Sequence, residues 1–484
     1  FTVWRSLVEG APLNTRWIPD PSDLSRDITE YYVWFSPGQY VFPGLISLTG
    51  LPMGAAMALT SGLSLAIFLI GCVKLCQHYN LAPDTALMAV LLFATFRYST
   101  LPFGIYNGGE ILLQAALPWL VLISLHVPAG TLWRGAALAF VVVILGFFVK
   151  LSGLIVSAAA LVAACLPVLI ERRAPTRGMI GGVLGAFAAL AVLYAVWFSQ
   201  GDTPGTVSGP SASSREWNDL IGYAFYVVGS WTSGMSLFDL LRWLFSHPGR
   251  VAFQHDWPLL LMITPPAAAL AALVVLGERT QETSRLLAYA ATFTGVYVLA
   301  LFYISFQGGP IGLDERYVRP PGILLLLCAF AVLAQYRWLS PLRLAFVAAF
   351  AFMSLYGLAS IAARSATAGD YDRLSRTRQM NIDQAAVEFL QAAYAREGRA
   401  ALFALHSPEV NLVLPSGARS FTPVHLDFAP EEHVAALRYE GAVEGTLYVV
   451  MKARWADDAK GRLLREAFVA YDPEGWSSEQ LGGT

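Results

Sequence analysis

Long apolar runs separated by short polar segments fill the chain from residue 52 to residue 362. A membrane-spanning helix needs roughly 20 mostly apolar residues to cross a hydrocarbon core of about 30 Å. Runs of this kind predict about ten transmembrane helices, at 52–73, 84–97, 110–126, 134–149, 152–170, 178–199, 257–277, 286–306, 320–336 and 342–362. The pattern therefore predicts a mainly α fold, built as a polytopic transmembrane helix bundle.

Composition agrees with a membrane protein. The 484 residues are 56% hydrophobic and only 14% charged, with a mean hydropathy of +0.53. An average soluble domain is about 25% charged. The formal net charge is −2 and no block of Lys or Arg stands out, so nothing favours a nucleic-acid partner.

Positive charge collects in alternate short loops of the predicted bundle. The five loops carry, in order, Lys74; Arg134; Arg172, Arg173 and Arg177; Arg279 and Arg285; and Arg337 and Arg343. Since loops rich in Lys and Arg stay in the cytoplasm, residues 1–50, 98–109, 200–256, 307–319 and the tail after 362 are predicted outside. A chain that begins outside with a long loop is expected to follow an earlier span, so we predict a further transmembrane helix upstream of Phe1. The predicted location is the bacterial inner membrane.

Three regions follow from this topology. Residues 1–51 form a first extracytoplasmic loop, 52–362 form the bundle with a large extracytoplasmic loop at 200–256, and 363–484 form a soluble domain. In that domain, Asn381 and Gln384 resemble a capping box that opens a helix ended by Gly398. Strand-like runs follow at 401–406, 410–414 and 446–451, with helices near 430–438 and 458–468. The sequence thus predicts a C-terminal extracytoplasmic α/β domain.

Acidic residues on the predicted outer face are candidates for catalysis. Asp20, Asp23 and Asp27 cluster in the first loop, where carboxylates can act as a base or hold a divalent cation. The alternative is a solvated acidic loop. Glu110 opens a span at its outer end; it fits either a second acid of the same site or a residue that only stabilises the helix dipole.

Basic residues on the same face are candidates for binding phosphate. Lys150 lies between two closely spaced spans, and Arg316 and Arg319 flank Tyr317 just before another. Ionisable residues at bundle depth are often functional, and guanidinium groups match phosphate oxygens in bidentate fashion. The alternatives are a lysine that merely reaches water and arginines paired with Asp314 or Glu315.

In the order of these features the chain resembles the GT-C glycosyltransferases, which include protein O-mannosyltransferases and lipid A aminoarabinose transferases. A large first outer loop leads to an aromatic segment with proline at 35–40 and to Gly50–Leu51–Pro52–Met53–Gly54. An acid heading a span follows (Glu110), then Lys150 near Gly153, and then Arg316, Tyr317 and Pro320 at the entry to a late span. A C-terminal periplasmic domain is also usual in that family.

The resemblance implies an inverting hexosyl- or pentosyltransferase that moves a sugar from a polyprenyl-phosphate donor to a lipid, glycan or protein acceptor outside the membrane. Lys150, Arg316, Tyr317 and Arg319 would bind the donor phosphate, and Glu110 would be a second acid. In that family an Asp in the first loop acts as the base or positions the acceptor, sometimes with a divalent cation such as Mg²⁺ or Mn²⁺. That Asp usually precedes the segment resembling Leu7–Val8–Glu9–Gly10. In this numbering, its position would fall upstream of Phe1. Asp20, Asp23 and Asp27 are therefore substitute candidates.

Two other classes remain open from sequence alone. A non-catalytic membrane subunit or scaffold would use its periplasmic domain to dock a partner. A lipid or solute transporter would show repeat symmetry with broken helices and charges at mid-bilayer, which the sequence does not display. The partners expected for a glycosyltransferase are the polyprenyl-phosphate-linked sugar, its acceptor and membrane lipids.

Overall fold

In the computed structural model, 73% of the described residues are helical. The structure describes residues 2–32, 35–97, 108–172, 174–200, 217–245, 257–307, 314–337, 339–367, 383–405, 408–415, 417–423, 431–441, 443–452, 455, 458–468 and 477. The chain divides into two compact units. Phe1–Tyr32, Tyr40–Met57 and Thr367–Thr484 form the first, here called the terminal unit, and Val33–Gln39 with Ala58–Ala366 form the second, the bundle unit.

The helices and strands are numbered in chain order. The helices are α1 (Thr2–Val8), α2 (Gly38–Ser47), α3 (Met53–His78), α4 (Pro83–Phe93), α5 (Gly109–Leu125), α6 (Leu132–Val149), α7 (Gly153–Arg172), α8 (Arg177–Val196), α9 (Trp217–Thr232), α10 (Leu237–Phe245), α11 (Trp257–Leu276), α12 (Gln281–Phe306), α13 (Arg319–Leu333), α14 (Pro341–Thr367), α15 (Gln384–Glu397), α16 (Glu431–Ala435) and α17 (Ala459–Glu466). The strands are β1 (Thr15–Asp20), β2 (Asp23–Tyr31), β3 (Leu402–Leu405), β4 (Arg419–Phe421) and β5 (Leu447–Val450).

Every predicted span coincides with a helix. Among the described residues, seven helices are long and apolar enough to cross a membrane: α3, α6, α7, α8 (counted to Gln200), α11, α12 and α14 (counted to Ala362). Large apolar side chains such as Phe187 on α8 and Leu355 on α14 are exposed, as expected for helices that face lipid rather than water. The helical content and these apolar helices indicate a multi-pass membrane protein.

The three shorter helices of the predicted series are α4, α5 and α13. Two of them form the interior of the bundle unit. All residues of α13 are buried, and α5 is buried along most of its length. The central positions are therefore occupied by the helices that carry Glu110 and Arg319 in their first turns.

Glycines allow the helices of the bundle unit to pack closely. A Cβ atom at Gly135 would overlap the backbone of Gly178, and one at Gly185 would overlap the backbone of Ala136. Small residues of this kind let helix backbones approach each other in a membrane protein. They bring α6 and α8 into close contact.

The five loops predicted to be cytoplasmic meet at one end of the bundle unit. Four contacts join them in a chain: the rings of His78 and His126 lie 5.8 Å apart, Thr176 Oγ1 donates to Pro128 O at 2.7 Å, Glu278 N donates to Tyr336 Oη at 3.2 Å, and Arg343 Nη2 donates to Asp84 Oδ2 at 3.0 Å. Arg343 also donates to Tyr336 O at 2.7 Å. The starts of α5 and α13 and the end of α6 consequently lie at the opposite end.

The terminal unit combines the two ends of the chain. Strands β1 and β2 form an antiparallel hairpin, with Trp17 opposite Thr29. Strands β4, β3 and β5 form a parallel sheet in that order. Leu24 of the hairpin is fully buried in one apolar cluster with Leu402 and Phe421 of the sheet, and its backbone N donates to Glu440 O at 2.8 Å. The first loop and the C-terminal segment therefore share a hydrophobic core.

Most elements predicted for the C-terminal segment are present. The helix that ends at Gly398 is confirmed as α15. Its N-cap is Asp383, whose carboxylate accepts a hydrogen bond from Ala385 N at 3.0 Å; Asn381 lies outside the described residues. The strand predicted at 410–414 is wrong. Pro408–Val413 is a 3₁₀ helix, which buries Val410 and Val413 because residues three apart share a face of such a helix. Strand β4 was missed.

Candidate functional site

The start of α5 is shaped by two glycines that precede Glu110. Gly108 has φ +50°, a conformation that L side chains avoid. A Cβ atom at Gly109 would lie 2.9 Å from Val149 O and 3.1 Å from Gln39 Nε2. The absence of both side chains lets the helix start beside the end of α6 and places Glu110, which is 8% exposed, against it.

A tight hairpin between α6 and α7 presents Lys150. A Cβ atom at Gly153 would overlap the Gly146 carbonyl oxygen, and Ser157 Oγ donates to Val142 O at 2.8 Å across the two helices. Lys150 caps α6 in an extended conformation. Its ammonium group donates to Glu110 Oε1 in a direct ion pair. The structure thus brings together two of the residues predicted from sequence.

The start of α13 adds a guanidinium group. Arg319, 5% exposed, donates through Nη1 to Gln114 Oε1 at 3.3 Å. Gln114 lies one turn after Glu110 on α5. Arg319 is within electrostatic range of both Glu110 and Lys150. A 3₁₀ turn (Ser233–Met235) fixes this helix start, since Ser233 Oγ donates to Val318 O at 2.8 Å.

Arg316 lies at the exposed side of the same group. Its Nε atom is 3.0 Å from Asp314 Oδ2, its Nη2 donates to Tyr317 Oη at 3.1 Å, and it is within electrostatic range of Glu110. The pairing of Arg316 with Asp314 is the alternative considered from sequence. The guanidinium side chain nevertheless remains 45% exposed, so it can also contact a ligand.

Glu315, the neighbouring acid, has a different task. It is fully buried and accepts hydrogen bonds from Phe238 N at 3.0 Å and Asp239 N at 3.3 Å, at the start of α10. Burial, and then the charge of Asp239, raise the pKa of the Glu315 carboxyl well above its ordinary value, although the two N–H groups oppose the rise. Glu315 therefore anchors α10. Its partners lie more than 70 residues away, and no local sequence signal indicates them.

The three first-loop acids lie in the terminal unit and are engaged within it. Asp20 accepts from Ser22 Oγ at 2.7 Å and pairs with Arg26 at 2.6 Å. Asp23 accepts from Ser25 Oγ at 2.6 Å. The bonds from Ser22 and Ser25, the largest cause in each case, hold the pKa of Asp20 and of Asp23 below the ordinary value.

Asp27, the third of these acids, joins the hairpin to the C-terminal segment. Its two carboxylate oxygens lie 3.0 Å from Arg399 Nη2 and 2.9 Å from Arg419 Nη2. Arg419 also donates to Leu24 O at 2.8 Å. Asp27 is thus a structural ion-pair partner in this conformation.

A divalent cation needs several oxygen or nitrogen ligands in one place. No group of three or more His, Cys, Asp or Glu residues within the described ranges could hold a metal ion. The described residues thus offer no ready-made ligand set for the divalent cation that the resemblance implies.

No family model, curated protein or solved structure matches this chain. In the bundle unit, the site residues form a cationic group, made by Lys150, Arg316 and Arg319 around Glu110, with Tyr317 and Gln114 as neutral hydrogen-bonding neighbours.

Proposed function

We propose that the chain is a membrane glycosyltransferase of the GT-C type, which transfers a sugar from a polyprenyl-phosphate donor to an acceptor on the extracytoplasmic face. The observation that supports it best is the convergence of Glu110, Lys150, Arg316 and Arg319 at the end of the bundle unit opposite the five positively charged loops. A lipid-linked phosphate is the ligand that this chemistry suits.

In this proposal the basic residues hold the donor phosphate. Charge-assisted bonds from guanidinium and ammonium groups to phosphate are about twice as strong as neutral hydrogen bonds. Arg316 contributes the exposed guanidinium. Tyr317 Oη accepts a hydrogen bond from Arg316 Nη2, and its own hydroxyl proton remains available for a hydrogen bond to the phosphate. Glu110 positions Lys150 through their ion pair.

The acid–base residue of the proposal comes from Asp20, Asp23 and Asp27. Each is engaged in a bond within the terminal unit, so activity would require that bond to be exchanged for one to the acceptor.

The test uses membranes containing the protein and a radiolabelled polyprenyl-phosphate sugar. Lys150→Ala and Arg316→Ala are expected to abolish transfer because the donor phosphate loses its cations. Lys74→Ala and Arg134→Ala, at exposed positions in or next to the opposite loops, are matched controls that should retain it. Full transfer by both site variants would overturn the phosphate assignment.

A non-catalytic subunit or scaffold is the second candidate function. It is favoured by the internal engagement of all three first-loop acids and by the direct Glu110–Lys150 pair, which can be purely structural. The two candidates separate on Asp20→Asn, Asp23→Asn and Asp27→Asn: if each protein folds and none loses activity in a cell-envelope glycan assay, the scaffold is supported.

A further inference from the structure

A cavity of about 360 Å³ lies inside the terminal unit. Helix α1 and strand β1 form one side of it, and the segments around Arg399 and Arg419 form the other. It contains none of the residues of the cationic group described above. Its volume is at the lower end of the range for small-ligand sites, which is roughly 300–1,000 Å³.

Four arginines and two carboxylates line this cavity. The arginines are Arg5, Arg16, Arg399 and Arg419, and the acids are Glu9 and Asp27. Glu30 pairs with Arg16 from outside the lining, but the four arginines still outnumber the three acids, so the cavity favours an anionic ligand. Because both signs are present, it also offers acceptors as well as donors of hydrogen bonds.

The arginines are held in place by their own contacts. Arg5 donates to Leu414 O and to Pro415 O, both at 2.9 Å. Arg16 lies 3.0 Å from Glu30 and 4.9 Å from the centre of the Tyr32 ring. Such contacts lower the entropy that binding would otherwise cost. The cavity is therefore a built site rather than a gap between flexible side chains.

Trp17 supplies an aromatic face. Its backbone N donates to Ser6 Oγ at 3.0 Å, which fixes it against α1, yet the residue is 41% exposed. An indole presents a large, rigid and amphipathic surface. The C–H face of a sugar ring is apolar and can stack on an indole, and the carboxylates of Asp27 and Glu9 are acceptors for ring hydroxyls.

We propose that this cavity binds an anionic saccharide, a sugar ring that carries a carboxylate or a phosphate group. Trp17 stacks on the ring, and the guanidinium groups of Arg16 and Arg399 bind the oxyanion. The proposal concerns binding alone and needs no glycosyl transfer, so it stands or falls separately from the proposed function.

The experiment is calorimetric titration of the full-length chain in nanodiscs with galacturonate, glucose 1-phosphate, glucose and inorganic phosphate. We expect at least one of the two anionic sugars to bind and both glucose and inorganic phosphate to bind much more weakly. Arg399→Gln should weaken binding about tenfold, the worth of one charge-assisted hydrogen bond. The side chain of Arg399 is 60% exposed, and Asp27 keeps Arg419 as its partner, so this variant is expected to fold.

Three further variants test the aromatic ring and provide a control for charge. Trp17→Ala should weaken binding, whereas Trp17→Phe should retain most of it because the aromatic face remains. Arg438→Gln removes an exposed arginine of the same unit that does not line the cavity, and it should change nothing. Melting temperatures of all variants confirm folding.

Any of four results would overturn the proposal. These are that neither anionic sugar binds, that glucose binds as tightly as glucose 1-phosphate, that inorganic phosphate binds as tightly as glucose 1-phosphate, or that Arg399→Gln and Trp17→Ala leave the affinity unchanged. The second result would show that binding does not need the anionic group, and the third that it does not need the sugar ring.

Discussion

At the scale of single residues, Glu110 faces three cations: Lys150, Arg316 and Arg319. The two ends of its ion pair are therefore not equivalent. Glu110→Gln leaves three buried or half-buried cations facing each other, and we expect it to cost about 3 kcal/mol of stability. Lys150→Met leaves Glu110 with two guanidinium groups and should cost clearly less.

Thermal unfolding of the detergent-solubilised variants measures this difference. The double variant should be less destabilised than the sum of the single variants, because contacting charges are not additive. Equal costs for the two single variants, or strict additivity, would contradict the three-cation arrangement.

Glu397 gives a prediction about pH. Partial burial alone would raise the pKa of this carboxyl, but hydrogen bonds from Tyr448 Oη, the Arg396 guanidinium and Thr446 N outweigh it and lower the pKa to about 2. A carboxyl whose pKa is lowered on folding stabilises the fold at pH values above its ordinary pKa of 4.5, and this stabilisation is lost as the pH falls toward 2.

Glu397→Gln should accordingly melt at a lower temperature than the parent chain at pH 7. The difference should shrink steadily between about pH 4.5 and the lowest pH at which the protein stays folded. A difference that stays constant over this range would show that the carboxylate charge does not stabilise the terminal unit.

At the scale of elements, the α6–α7 hairpin depends on glycine for its tightness. Gly153→Ala places a Cβ atom against the backbone of Gly146, which overpacks the hairpin and should cost roughly 1–3 kcal/mol. Gly295→Ala on α12 is the matched control, because nothing lies within 4 Å of its Cβ position; it should be neutral or slightly stabilising.

The same pair of variants tests how Lys150 is positioned. If the proposed donor site exists, Gly153→Ala should also reduce binding of undecaprenyl phosphate, measured by native mass spectrometry, while Gly295→Ala should not. Equal melting temperatures for the two variants would show that the hairpin relaxes without cost.

The sequence predicted the elements of the bundle better than their partners. Apolar runs are a local signal, and so all ten predicted spans coincide with helices. Glu110 and Lys150 were predicted on the same side of the bundle, but their ion pair was not predicted. The binding of Glu315 to α10 was not predicted either, because a side chain that caps a distant helix leaves no periodic trace.

At the scale of the whole molecule, the terminal unit was the larger surprise. From sequence, the acids of the first loop were either catalytic candidates or a solvated acidic cluster, but Asp27 binds Arg399 and Arg419, more than 370 residues away. Pairings over such distances have no local signature, whereas the helices and most strands of the C-terminal segment do. The sequence could therefore indicate these elements but not the hairpin that shares their core.

The sidedness of the chain can be measured directly. In a variant whose native cysteines are replaced by serine, a cysteine at 314 or 396 should react with a membrane-impermeant maleimide in intact spheroplasts. A cysteine at 278 should react only after lysis, because its loop belongs to the five predicted to be cytoplasmic. The reverse pattern would invert the topology and remove the extracytoplasmic site.

The length of α13 has a consequence for how a lipid substrate would arrive. Its 15 residues rise about 22 Å, less than the roughly 30 Å of a bilayer's hydrocarbon core. Such a helix escapes the penalty of thickness mismatch because protein, not lipid, surrounds it. If its Leu333 end lies at one surface of the bilayer, its Arg319 end must lie within the hydrocarbon core, short of the other surface. A polyprenyl tail lies in that same hydrocarbon layer. Its phosphate would therefore reach Arg319 from the side of the bundle, in the plane of the membrane, at a depth set by the length of α13.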